Sequence, residues 1–153
     1  MNSFGLSSIQ HTDIQQRCQE VLGQHGATVY LDLFTHKNPP SWFSHRKNMQ
    51  LFFHVLSSQM KIGIPLYEAL QQFAATLQSI DPVGALEMER LCKEIERGSW
   101  DVFTLNTIII RIAEYSKALA QRLHFMSNMG SFTASFEKLS NELQRNPQVW
   151  ENG

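Results

Sequence analysis

From Met49 onward, apolar residues recur at steps of three and four, the period of a helix that buries one face. Met49, Phe52, Phe53, Leu56 and Met60 form the first such stripe. It runs into Gly63, suited to a left-handed C-terminal cap, and then Pro65, whose fixed φ and missing N–H suit the first turn of a new helix. The second stripe, Leu66, Ala69, Leu70, Phe73, Ala74 and Leu77, stops at SIDP. There Asp81 can cap a third helix that Pro82 begins, lined by Met88, Leu91, Cys92 and Ile95 and closed by Gly98. With Ser99 as N-cap and Asp101 in the first turn, the pattern predicts one long helix carrying Leu105, Ile108, Ile109, Ile112, Leu119 and Leu123. A last helix, with Phe132, Phe136, Leu139 and Leu143, is expected to reach about Arg145, ahead of Pro147.

The first 45 residues read differently. Thr12 and Gln15 have capping-box spacing, and Ile14, Cys18, Val21 and Leu22 follow on one helical face until Gly23 and Gly26. ATVYLDLF then alternates, with Val29, Leu31 and Leu33 opposite Thr28, Tyr30 and Asp32, which predicts a half-buried strand. THKNPPSWFSH has two prolines and no period, so residues 35–45 read as a linker. Short connections between successive helices force antiparallel neighbours. The expected architecture is therefore mainly α: an antiparallel helical bundle over 46–147 with a small helix-plus-strand appendage at 1–34.

Composition narrows the function. A chain that is 42% hydrophobic with ten Phe can bury a core, and its net charge of −1 supplies no field to draw nucleic acid. Cys18 and Cys92 fit neither a disulfide framework nor a metal motif and read as buried thiols in a reducing compartment. MNSFGLSSIQ lacks the basic and apolar regions of a signal peptide, and the best apolar run, TIIIRIA, is interrupted by Arg111. Histidines at 11, 25, 36, 45, 54 and 124 have no HExxH or CxxC companions. No GxxxxGK[ST], GxGxxG or GxSxG occurs, and Ser57 and Ser58 have no base placed beside them by spacing. The expectation is a protein without catalysis, cofactor or metal. EMERLCKEIER reads as a solvated helix face whose charges stand at ion-pair spacing, Glu87 with Arg90 and Glu89 with Lys93.

FSHRKNMQLFFHVLSSQMKIGIPLYEALQQFAA resembles the start of the cytoplasmic domain in the inner-membrane platform proteins of type II secretion and type IV pilus assembly, the GspF/PilC family. Those domains open with a basic segment, a helix ending in a small-Gly-hydrophobic-Pro-Leu corner, and a Glu-Ala-Leu helix. Gly63, Pro65, Leu66, Glu68, Ala69 and Leu70 occupy that motif in order. Upstream CQEVLGQHGATVYLDL and downstream LCKEIERGSWDVF extend the resemblance over about residues 14–103. It implies a non-catalytic domain at the cytoplasmic face of the bacterial inner membrane, in contact with the assembly ATPase and other inner-membrane machinery proteins. Membrane attachment would come from segments outside this sequence. Candidate partner-binding residues are Arg46 and Lys47 at the basic entry and Glu87, Glu89, Glu94 and Glu96 on the charged face. The aromatic content further predicts a weak homodimer. The competing expectation is a free cytosolic helical adaptor or regulator unrelated to secretion.

Overall fold

The computed structural model describes residues 14–23, 42–95 and 100–146, and all of its regular structure over them is helical. Residues 14–23 form helix α1. A single 3-10 turn, Trp42–Ser44, leads into α2 (Arg46–Lys61), followed by α3 (Leu66–Leu77), α4 (Pro82–Glu94), α5 (Asp101–Ala113), α6 (Lys117–Met129) and α7 (Phe132–Arg145). The strand expected over 27–34 lies outside the described residues, as does most of the expected linker.

Three antiparallel pairs make the bundle: α2 with α7, α3 with α4 and α5 with α6. Contacts of α2 with α3, α6 with α7 and α3 with α5 join the pairs. The α2–α7 register is read from Arg46, whose Nη1 donates to the Leu143 carbonyl at 2.9 Å, and from Ser140, whose hydroxyl donates to the Gln50 carbonyl at 3.2 Å. Helix α2 departs from the one-faced stripe expected of it. Leu51, Val55, Ser57 and Gln59 are buried along with Met49, Phe52, Phe53 and Leu56, because neighbours enclose α2 on several sides. An aromatic spine crosses the core through it. Phe136 of α7 meets Phe53 edge to face at 5.2 Å, Phe53 meets Phe52, and Phe52 meets both Phe43 and Phe73. Edge-to-face pairs of this kind add about 0.5–1.5 kcal/mol each beyond the burial of their area.

The corner between α2 and α3 has a complete Schellman geometry. The Gly63 N–H donates to the Met60 carbonyl at 3.0 Å and the Ile64 N–H to the Gln59 carbonyl at 3.2 Å, with Gly63 at φ +95°. Pro65 falls one residue earlier than expected, at the N-cap of α3. The N–H of Leu66, the first residue of α3, finds its acceptor on another helix, the Asp101 carboxylate at the start of α5 (3.2 Å). Gly63→Val should cost about 1–2 kcal/mol or more, because a β-branched residue is strained at this φ. A urea midpoint unchanged from the parent would remove Gly63 from any capping role. The space around Gly63 is open, so strain and not collision is what the substitution measures.

Two boundaries correct the sequence reading. The long helix expected from Asp101 to Leu123 is broken at Glu114–Ser116. Buried Ser116 accepts a hydrogen bond from the Leu119 N–H at 3.2 Å and starts α6 as its N-cap, while the Tyr115 and Ser116 N–H groups close α5 onto the Ile112 carbonyl. A serine hydroxyl that competes for backbone bonds favours a helix start over a helix interior. At the other end of α5 the N-cap is Trp100, which offers no side-chain acceptor. The expected cap Ser99 and closing Gly98 lie outside the described residues.

The aperiodic linker also hides an anchor. Trp42 is wholly buried and Phe43 nearly so. The Trp42 indole Nε1 donates to the Asp81 carboxylate at 2.7 Å, and its backbone N–H donates to Glu87 at 3.0 Å. Asp81 meanwhile accepts the Gly84 N–H at 3.1 Å, so one carboxylate caps α4 and holds the indole. Gly84 explains itself here: a Cβ would lie 2.7 Å from Nε1 and 3.0 Å from Cε2 of that ring.

Candidate functional site

Most corner residues of the proposed motif land in a structural role. Leu66, Ala69 and Leu70 are fully buried against the core, and Glu68 is exposed in the first turn of α3. At the basic entry, Arg46 is committed to the end of α7 through the Leu143 carbonyl, whereas Lys47 is exposed.

The carboxylates of α4 do not form one free acidic face, which corrects the expectation drawn from EMERLCKEIER. Glu87 accepts the Trp42 N–H, and Glu94 forms an ion pair with Arg111 that ties α4 to α5. Glu89 accepts from the Gln78 amide at 2.9 Å and remains at the surface. Glu96 lies outside the described residues. Periodicity places these groups on the outward side of a helix but cannot show that neighbouring elements come up to meet them.

What α4 does present is one rim of a groove of about 430 Å³ along α3. Ala74 and Ala75 are among the residues that line it, and Tyr67, Gln71, Gln78, Glu89 and Lys93 supply polar and charged groups. Small residues on α3 leave the room, and side chains of both charge signs border it. Cys92 also lines this groove, but burial, and secondarily the charge of Glu89, push its thiol up to about 11, so it stays protonated at neutral pH. Burial likewise pushes the Cys18 thiol up, to about 12. A second groove of about 470 Å³ lies between α1 and α2, bordered by Arg17, Glu20, His54 and Ser58. The hydroxyls of Ser57 and Ser58 both donate to the His54 carbonyl, at 3.0 and 2.8 Å, so they are spent on the helix backbone.

Among the described residues no three His, Cys, Asp or Glu side chains converge as a metal site, and no helix is long and apolar enough to cross a membrane. The groove between α3 and α4 is bordered by side chains of both charge signs. Trp42 and Gly84, which pack together at the start of α4, were not visible in the sequence as structural residues. The one available signal was the adjacent Trp-Phe pair directly ahead of a helix start. Neither protein families, nor curated proteins, nor solved structures give a match to this chain.

Proposed function

We propose that this chain is a non-catalytic helical domain of an inner-membrane platform protein of type IV pilus assembly or type II secretion, working at the cytoplasmic face of the bacterial membrane. The observation that carries the reading is the Gly63–Pro65–Leu66 corner: a left-handed glycine followed directly by a helix whose Leu66, Ala69 and Leu70 are buried. Gly63, Leu66, Ala69 and Leu70 thus have a physical reason for their residue type. Contact with the assembly ATPase would run through the α3–α4 groove, where Glu89 and Lys93 remain accessible, with Lys47 as a second exposed charge.

A charge-reversal test has to avoid Glu87 and Glu94, since both hold elements together. Glu89→Lys combined with Lys93→Glu leaves the net charge unchanged and touches no buried contact. Far-UV circular dichroism of this variant should match the parent. Its association with the purified ATPase of the same organism should weaken several-fold at low salt, mostly through on-rate, because rim charges act by steering. Absence of any binding by the parent domain at low salt would sink the platform reading and favour the free helical adaptor. Binding that the variant retains in full would move the contact to Lys47 and the α2 entry.

A further inference from the structure

The aromatic content was expected to leave apolar surface outside the core, and part of it lies on α5, with Phe125 and Met129 exposed on α6. Phe52, Phe53, Phe73, Phe136 and Trp42 are fully buried, while α5 turns a ridge of large apolar side chains to solvent. Phe103 is 60% exposed, Ile110 67% and Trp100 77%. Phe103 and Ile110 stand seven residues apart on the side of α5 opposite buried Leu105, Ile108 and Ile112, with Asn106 and Thr107 between them. No ionised side chain stands on the ridge between them.

We infer that this ridge is the contact face for a second copy of the chain, two α5 helices packing antiparallel about a two-fold axis at Asn106 and Thr107. The inference stands whether or not the domain serves a platform protein. Three observations favour a second copy. First, the ridge is self-complementary. An antiparallel pairing centred on its midpoint sets Phe103 of each copy against Ile110 of the other, so each apolar group meets an apolar group and no charge is buried. Second, Trp100, Val102, Phe103 and Ile110 together expose roughly 500 Å² of apolar area, taking about 150–250 Å² per fully accessible large side chain. That lies at the upper end of what monomers leave uncovered, and with the flanking polar residues it approaches the ~800 Å² per partner of a standard interface. Third, the ends match in charge. Glu114, exposed at the C-terminal end of α5, comes to lie beside Trp100 and Asp101 of the second copy. There the α5 N-terminus has no side-chain cap, and its positive end favours a carboxylate. Asp101 does not oppose this, because it is turned inward to the Leu66 N–H.

Sedimentation velocity on the full chain over a concentration series tests the pairing. The parent should shift from monomer to dimer with a dissociation constant on the order of 10–100 μM, as expected of a small interface without deep anchors. Ile110→Glu should stay monomeric over the whole series with an unchanged circular dichroism spectrum, since residue 110 is mostly exposed. Glu114→Gln should weaken the dimer about two- to fivefold. Asn106→Cys in a Cys92→Ala background should form an intermolecular disulfide under mild oxidation, whereas Gln121→Cys on the exposed side of α6 should not. A parent that remains monomeric at every concentration overturns the proposal. A dimer that survives Ile110→Glu, or cross-links through residue 121 and not 106, overturns this face.

Discussion

Trp42→Ala is expected to destabilise the protein by about 3–5 kcal/mol, the largest loss of any single substitution outside the helices. The indole is fully buried, meets Phe43 at 5.7 Å and Phe73 at 6.0 Å, and fills the space that Gly84 leaves open. Truncation removes the transfer energy of the ring, opens a cavity between α3, α4 and the 3-10 turn, and leaves Asp81 without one of its two donors. In a chain of this size the loss corresponds to roughly 10–15 °C in melting temperature. Trp100→Ala is the matched control: the same side-chain change at a solvent-facing position should move stability by less than about 0.5 kcal/mol at low protein concentration. Equal melting temperatures for the two variants would show that residue 42 does not anchor the bundle.

Asp81→Ala is the second large effect, about 2–4 kcal/mol. Two terms add: loss of the α4 cap at Gly84, worth about 0.5–2 kcal/mol, and a buried indole N–H left without an acceptor, about 1–3 kcal/mol. Because residues in contact do not act independently, Asp81→Ala combined with Trp42→Phe should cost less than the separate losses added, with a coupling of about 1–3 kcal/mol. Phenylalanine keeps most of the packing and removes only the donor. Denaturant titrations of the parent, both single variants and the double variant give that coupling directly. A coupling near zero would mean that the 2.7 Å indole–carboxylate bond contributes nothing in solution.

Helix positions were legible where a strong period met a strong terminator. The Gly63–Pro65 corner, the Asp81–Pro82 start of α4 and the Arg145 end of α7 all stand within a residue of their expected places. The α5–α6 break was missed because Ile112 and Leu119 are seven residues apart, which keeps one apolar stripe in phase across a turn. Only Ser116 carries the interruption, and a serine is ambiguous until its hydroxyl is seen capping. Trp42 was missed for the opposite reason: period-based reading has no purchase on a three-residue turn, and a Trp-Phe pair just after two prolines looks like linker. The charged site fared worse still. Glu87 and Glu94 have the spacing of a solvated face, and what removes them from it is the approach of Trp42 and Arg111 from other parts of the chain. Local pattern carries no information about such long-range partners.

The pairing of the first long helix with the last also sets a timetable for synthesis. Arg46 and the Leu143 carbonyl that it reaches are 97 residues apart in the chain. At about 5–20 residues per second, a ribosome needs roughly 5–20 s to complete that interval. Throughout it, one flank of α2, with Phe53 at its centre, waits uncovered for Phe136. Helices α3 to α6 can already close on one another in that time, because their partners are local, while the flank of α2 that faces α7 stays open. That open side is where a chaperone would bind, and where the α7 of one newly completed chain would dock on the α2 of another.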